Sequence, residues 1–561
     1  MPEHPYGWWS IAPPVVAIVL AIATRRVLFA LFAGLAVGSL ILAGGNPIAA
    51  TIDLLENQLW QSTIQPDKLR VYAFSMTLSA MIGVIQVSGG MRGMVELLTP
   101  WARSRCSGQI VVYLTGLLVF FDDYANCLLI GGTMRPTCDR LRISREKLSF
   151  LVDATAAPVA GLAIVSTFIA IELEYIREGI SNLPPAIAAG LNPFELFLAC
   201  IPYRFYVIQM LLFLPMIALM KRDFGPMLAA ERRAVAGETP AWARSDFAVD
   251  PYDDGQGVRT SHWSNAIVPL AVTLSMTLWL IYATGAAKIS QSSPDLAGFV
   301  RFRAAFGSGD SSLALYYGGL AGLFVAVVLA RWRERLPGKR IAWAAGTGAK
   351  MVLPALLILM LAGTMSRMTG NKSTSGAPTT QAFEHQHERL YTGDFLKGVL
   401  ISVSENTEHD LTVWLPTVVF VLACTIAFCT GTSYGTMGIL IPMVIPLATA
   451  LTEATTPQDL AANPIFLCAL GSVLAGAIFG DHCSPISDTT ILSALASGCD
   501  HMAHVNTQLP YAFAVGTVAI LFGTIPIGFG ISVWLLLGLQ LLILAGLLLL
   551  VGKRVEPQPP S

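Results

Sequence analysis

Charge is what this chain has least of. Of its 561 residues only 13% are charged while 54% are hydrophobic, and the mean hydropathy is +0.62. Soluble domains carry about 25% charged residues, so the composition excludes a soluble globular protein and points to a polytopic one partnered by the lipid bilayer. Neither sign is in surplus. With 35 Lys and Arg against 36 Asp and Glu, nothing would draw a nucleic acid. The nine cysteines contain no C-x-x-C pair, which argues against a disulfide framework or a zinc site. Met1-Pro2-Glu3-His4-Pro5 lacks the basic n-region of a cleaved signal, so the first apolar segment is expected to stay in the protein. Gly346-Thr347-Gly348-Ala349-Lys350 has neither Walker A spacing nor a preceding strand, so no nucleotide site follows. Phe479-Gly480-Asp481 lacks the first glycine of the G-x-G-D motif of intramembrane aspartyl proteases, since Ile478 stands there.

What the chain does have is long apolar runs. A spanning helix needs about 20 apolar residues, and candidates fall near 11–24, 27–44, 70–91, 108–134, 148–172, 194–220, 264–286, 312–331, 341–366, 412–448, 463–498, 510–530 and 532–552. Thr51–Asp67 is amphipathic and reads as interfacial. Short basic loops mark the cytoplasmic side. Arg135, Arg140, Arg142, Arg145 and Lys147 form one such cluster, Arg331 to Arg340 another, and Lys553-Arg554 a third, placing the C-terminus in the cytoplasm of an inner-membrane protein. The loops 173–193 and 453–462 and the inserts 287–311 and 367–411 fall outside; the insert 221–263 falls inside.

Two of these runs are too long for one simple span. As a straight helix, 108–134 would measure about 40 Å at 1.5 Å per residue. Arg92, Arg103 and Arg105 before it and the cluster 135–147 after it both belong on the cytoplasmic side. A hairpin that enters and returns satisfies both facts, with its tip at Asp122-Asp123-Tyr124. In the second half Thr430-Gly431-Thr432-Ser433-Tyr434-Gly435 interrupts 412–448, which reads as a second hairpin from the opposite face. Each is followed by a span holding an Asp and a Pro, Asp153-Ala154-Thr155-Ala156-Ala157-Pro158 and Asp481-His482-Cys483-Ser484-Pro485. The predicted fold is therefore all-α, an inverted repeat with two re-entrant helical hairpins and two broken transmembrane helices, as in secondary transporters. Residues 1–107 form scaffold helices and 108–172 the first hairpin and broken helix. Residues 173–411 connect, 412–511 form the second hairpin and broken helix, and 512–561 are C-terminal helices.

An ionised side chain at the bilayer centre costs on the order of 3 kcal/mol or more, so a carboxylate there is a functional candidate by default. Proline removes a helix hydrogen bond and frees carbonyls, tolerated at membrane depth only inside protein or around a ligand. Carbonyl, hydroxyl and carboxylate oxygens together suit a hard cation. The candidate ion or substrate ligands are Asp122, Asp123, Asn126, Asp153, Thr155, Ser433, Thr436, Asp481, Ser484, Ser487, Asp488 and Thr489, with Asp153 and Asp481 the main sodium ligands. A lone Ser or Thr can instead back-bond to its own helix. Burial favours a protonated carboxyl and a bound cation the ionised form, so one buried Asp can exchange a proton for sodium. His482, beside Asp481, could tune that competition or simply pack. Glu384-His385-Gln386-His387-Glu388 lies in a polar insert and reads as solvated, and Glu172 and Glu174 read as an interfacial helix end.

These motifs carry a resemblance. Phe121-Asp122-Asp123-Tyr124-Ala125-Asn126, Thr133-Met134-Arg135-Pro136, the stretch Asp139 to Leu148, Asp153 to Pro158 and Gly480 to Thr490 resemble the NhaC-type sodium/proton antiporter family. The likeness is strong in 120–160 and 430–511, and the inserts near 287–311 and 367–411 are unmatched. It implies an ion-transporter-type fold with scaffold and mobile transport parts, and sodium/proton exchange across the cell membrane with no cofactor beyond those ions. A sodium-coupled carrier of an amino acid or small organic acid is the alternative, and an intramembrane aspartyl enzyme a third. A homodimer is the assembly allowed for.

Overall fold

A computed structural model of the chain describes residues 4–24, 26–238, 262–292, 309–369, 389–392, 411–452 and 456–555, with isolated residues between them. The stretch Glu384–Glu388 and most of the inserts lie outside the described residues. Ten described helices are long and apolar enough to cross a membrane, or eleven if the pair Pro193–Tyr203 and Phe205–Met220, bent by 53°, is one span. Pairing of Arg222–Asp223 with Lys553–Arg554 is the only strand structure among the described residues. The amphipathic stretch after Pro47 is helical and exposes Ile48, Ile52, Leu55 and Trp60 along one side.

The first hairpin is built from Arg105–Leu118 and Asp123–Arg140. Its two ends meet. An Arg105 guanidinium nitrogen donates to the Arg142 carbonyl, and a Cβ on Gly108 would stand 2.6 Å from Leu141 Cδ1. Ser104 and Ser107 form a capping box at the start, and Asp122 caps the return arm by accepting from Ala125 N at 2.8 Å. The second pair is Leu415–Thr430 and Ser433–Leu451, turned at Gly431, whose φ of +65° is cheap only for glycine. Its geometry also requires a return. Gly476 and Gly480 pack on Phe420 and Cys424 respectively, so Pro464–Cys483 runs parallel to Leu415–Thr430. Were the pair straight, Leu451 would lie roughly 60 Å from Pro464. The connecting residues reach at most about 45 Å.

Each hairpin is followed by a broken helix: Arg145–Ala160 then Thr167–Ser181, and Pro464–Cys483 then Asp488–Ser497. The hairpin tips dock on these breaks. Thr167 N donates to Phe121 O at 3.0 Å, Ser484 Oγ donates to Phe428 O at 2.7 Å, and Gly431 lies against Ile486 O. The same order of elements thus occurs twice.

Three expectations need correction. The first break begins after Ala160 and not at Pro158, which stays inside its helix; one missing hydrogen bond kinks a packed helix without ending it. The run expected as one span at 148–172 and the loop expected at 173–193 share the half-helix Thr167–Ser181, so only residues beyond 181 connect outward. Glu172 and Glu174, expected at an interface, are 0% and 1% exposed. Glu172 pairs with Arg204 and Glu174 with Arg177, and one turn on Glu178 pairs with Lys68. Burial is tolerated because each acid has its own cation.

Basic segments gather at one end of the bundle. Lys147 pairs with the buried Asp223, Arg142 donates to Val235 O at 3.0 Å, and Arg232 donates to Arg554 O at 3.2 Å. Residues 4–10, 182–192 and 457 meet other partners at the opposite end: His4 bonds Tyr391 O, Asn182 bonds Ser366, and Gly190 abuts Pro457.

Candidate functional site

Both hairpin turns and both helix breaks surround one region. Four helices end there, at Leu118, Ala160, Thr430 and Cys483, and four begin, at Asp123, Thr167, Ser433 and Asp488. A helix end carries unpaired carbonyls with partial negative charge, and a helix start unpaired amides with partial positive charge. The region can therefore solvate a cation through carbonyls and an anion through amides. The chain supplies its own anions at two of the starts, since Asp122 caps Asp123–Arg140 and Asp488 opens Asp488–Ser497. At the other two starts the caps are neutral hydroxyls, Ser166 and Thr432.

A cavity of about 80 Å³ opens here. Asp122, Asp123, Tyr124, Thr167, Thr432, Tyr434 and Asp488 form its polar side. Ile82, Met351, Val352 and Ile358, from Pro66–Val87 and Gly338–Thr369, form an apolar wall. Tyr124 OH donates to Asp488 Oδ2 at 3.2 Å, linking the first hairpin to the second broken helix. Asp123 is 3% exposed, with Oδ1 accepting from Tyr124 N at 2.9 Å.

Behind the cavity lies Asp481, 5% exposed, with Oδ1 unpartnered. The Ser487 and Ser433 hydroxyls face it, and Asp153 and Asp488 act on it through space. Deeper still, Asp153 Oδ2 is the focus of a buried network. Gln508 Nε2 donates to it at 2.8 Å and Thr490 Oγ1 at 3.1 Å, while His504 Nε2 stands at 3.3 Å and His482 Nε2 at 4.0 Å. Gln508 also donates to the His482 carbonyl, and Tyr206 OH lies 2.6 Å from His482 Nδ1. Asp153 sits two turns before its break and Asp481 at the last turn before its own, so the two are not structural equivalents.

The other candidates divide. Asn126 Nδ2 contacts the carbonyls of Gly116, Val119 and Thr155 at 2.9, 3.2 and 3.1 Å, fastening the hairpin to the broken helix and leaving Oδ1 unpartnered. Thr155 and Thr436 hydroxyls back-bond to Leu151 O and Thr432 O, Ser484 holds Phe428 O, and Ser487 and Thr489 hydroxyls bond each other at 3.1 Å. Sequence reasoning missed Tyr206, Thr490, His504 and Gln508 as members of the network.

One comparison among the acids stands out by its chemistry. Among the described residues nine carboxylates are buried, and six have a Lys or Arg partner: Glu146, Glu172, Glu174, Glu178, Asp223 and Glu231. The remaining three, Asp123, Asp153 and Asp481, have none, and all three belong to this region. A buried carboxylate without a permanent counter-ion is compensated by a proton, on itself or on a neighbour such as His504 beside Asp153, or by a bound cation. No group of three or more His, Cys, Asp or Glu arranged to hold a metal occurs among the described residues, so an alkali ion here would rest largely on hydroxyl and carbonyl oxygens.

Comparison with known proteins gives the family. A model of the Na+/H+ antiporter family matches residues 159–371 and 389–527. A protein of Haemophilus influenzae with no assigned activity is 30% identical over 537 residues, 93% of this chain and 91% of its own. A protein named as an Na+/H+ antiporter from the same organism is 37% identical over 106 residues, 18% of this chain and 20% of its own. A malate-2H+/Na+-lactate antiporter of Bacillus subtilis is 35% identical over 102 residues, 18% of this chain and 19% of its own.

Proposed function

Because the chain belongs to the Na+/H+ antiporter family, we propose that it exchanges sodium for protons across the cytoplasmic membrane, with its basic end and C-terminus inside. Membership makes it a multi-pass secondary transporter and not an enzyme, which sets the intramembrane protease reading aside. The observation that carries the proposal is the trio of buried carboxylates without a Lys or Arg partner. Asp481, with the Ser433 and Ser487 hydroxyls that face it, would hold the alkali ion, and Asp122, Asp123 and Asp488 would line its approach through the cavity. Asp153, bonded to His504 and near His482, would hold the proton. Asp481 is within electrostatic reach of both Asp123 and Asp153, so a sodium ion arriving beside it favours proton loss from the network, and a proton arriving favours sodium release. The two repeats, which this reading takes as inverted copies, would move as one body against the scaffold helices that wall the cavity.

A second reading rests on the cavity itself. Its apolar wall has no use for a bare ion, and one relative is named for exchanging malate and lactate. In that reading a small organic acid or amino acid enters with sodium, its carboxylate at the neutral-capped starts near Thr167 and Ser433. Purified protein in liposomes separates the two. Under the first, an inward sodium gradient alkalinises the lumen without any organic solute; under the second, pH changes only when the solute is present. Failure of both would reject the proposal.

A further inference from the structure

The two helix breaks differ in one respect. At the first, Arg204 is 0% exposed and reaches the broken end of Arg145–Ala160: Nη1 donates to Gly161 O at 2.5 Å and Nη2 to Glu172 Oε2 at 3.0 Å. Glu172, itself 0% exposed, lies on the far half of the same broken helix, and the guanidinium also rests over the Phe197 ring, 4.7 Å from its centre. A permanent cation thus sits between a freed carbonyl and a buried carboxylate. Those are the partners a bound alkali ion would have at a broken helix. Ser166 Oγ takes the adjacent freed carbonyl, Ala160 O, at 2.7 Å, so the carbonyls on either side of the break point are both satisfied by side chains.

At the second break the donors carry no permanent charge. Gln508 holds His482 O, His501 Nε2 lies 2.6 Å from Pro485 O, and Ser484 Oγ holds Phe428 O. The groups that act most strongly on Asp481 are Ser487, Asp153, Asp488 and Ser433, none of them a cation. The breaks are neighbours, since a Cβ on Gly161 would stand 3.0 Å from Ile478 Cδ1, one turn before Asp481. One break arrives with its counter-ion built in and the other lacks one.

We propose that Arg204 is a resident counter-ion that occupies the place of a second alkali ion at the first break, so that the protein binds a single sodium ion, on the Asp481 side. This rests on the reading of the chain as a sodium-binding antiporter and fixes its cation count. Arg204 acts as a positioning residue: it touches neither the cavity nor Asp481, but holds the two halves of the first broken helix in register. A guanidinium is charged at every working pH, so this half of the site does not empty during transport.

The test is equilibrium binding of radiolabelled sodium to the purified full chain in detergent, with sodium-dependent thermal stability as a second readout. Wild type is expected to bind one sodium ion per chain. Arg204→Met leaves the Glu172 carboxylate and Gly161 carbonyl to a mobile ion, so its count rises to two and its stability becomes more steeply dependent on sodium. Arg204→Lys and the double variant Arg204→Met/Glu172→Gln are expected to return to one. A wild-type count of two overturns the proposal, as does an Arg204→Met protein that still binds one ion with unchanged sodium dependence. If Arg204→Met does not fold, the wild-type and Arg204→Lys counts still decide. A wild-type count of zero rejects the sodium reading itself, a different result from a count of two.

Discussion

Replacing Asn126 with leucine tests how the first hairpin is held at the site. Its amide is the point where the hairpin and the broken helix are tied, through the carbonyls of Gly116, Val119 and Thr155. The Gly116 and Val119 carbonyls lie where Arg105–Leu118 runs out of intrahelical donors. Leucine fits the space but donates nothing, so two buried carbonyls lose their partner at about 1–3 kcal/mol each. The docked hairpin should therefore lose roughly 2–6 kcal/mol against a locally opened state. At ~1.4 kcal/mol per tenfold, amide exchange limited by that opening speeds up by about 25-fold or more. The reporter is the Thr167 amide, which donates to Phe121 O across the docked interface at 3.0 Å. Hydrogen exchange with mass spectrometry on peptides covering Val119–Tyr124 and Ser166–Ile169 reads it. A change under about threefold in both peptides, with transport abolished, would refute the reasoning and make Asn126 a ligand alone.

Three more outcomes follow from the same packing. Asp481→Asn should leave expression and thermal stability without sodium close to wild type, and lose the sodium-induced stabilisation; retention of that stabilisation would move the cation elsewhere. Lys147→Met strands the buried Asp223 carboxylate, leaving it only Tyr511 OH at 2.6 Å, and should cost about 3–5 kcal/mol. The pair Lys147→Met/Asp223→Leu should recover most of that in denaturant titration, and a double variant no better than the single would refute the ion-pair account. Glu231, outside the membrane spans, is fully buried, and burial pushes its carboxyl above the usual glutamate range despite Lys147 and Arg105 nearby. The folded state then holds that proton more tightly than the unfolded one, so its contribution to stability is greatest in acid and is lost as pH rises above the ordinary glutamate range. Thermal melts across pH should show that decline in wild type and a flatter profile in Glu231→Gln.

Much of this site is legible in the sequence because a charge in an apolar run has so few innocent explanations. Asp122-Asp123 and Asp481 stand out for that reason, and the hairpin could be read from a run too long for the bilayer with basic residues at both ends. What escaped reading depends on register between distant helices. His504, Gln508 and Tyr511 fall at i, i+4 and i+7 of His501–Ala519, a polar stripe along one face. Taking the apolar span to begin at 510 cut that stripe off. Arg204 and Glu172 escaped for a related reason, since Glu172 alone reads as an ordinary interfacial helix end and its partner lies 32 positions away. Pro158 misled in the other direction, because proline marks a missing hydrogen bond and the packing around Ala157–Ala160 keeps the helix going past it.

Competition between sodium and a proton at the uncompensated carboxylates is most directly measured as proton release on sodium binding, by calorimetric titration in buffers of different ionisation heat. At a pH where the network is protonated, the wild-type protein should release about one proton for each sodium ion bound, and Asp153→Asn should bind sodium without releasing it. Sodium binding with no proton release in wild type, or equal release by both proteins, would contradict the account.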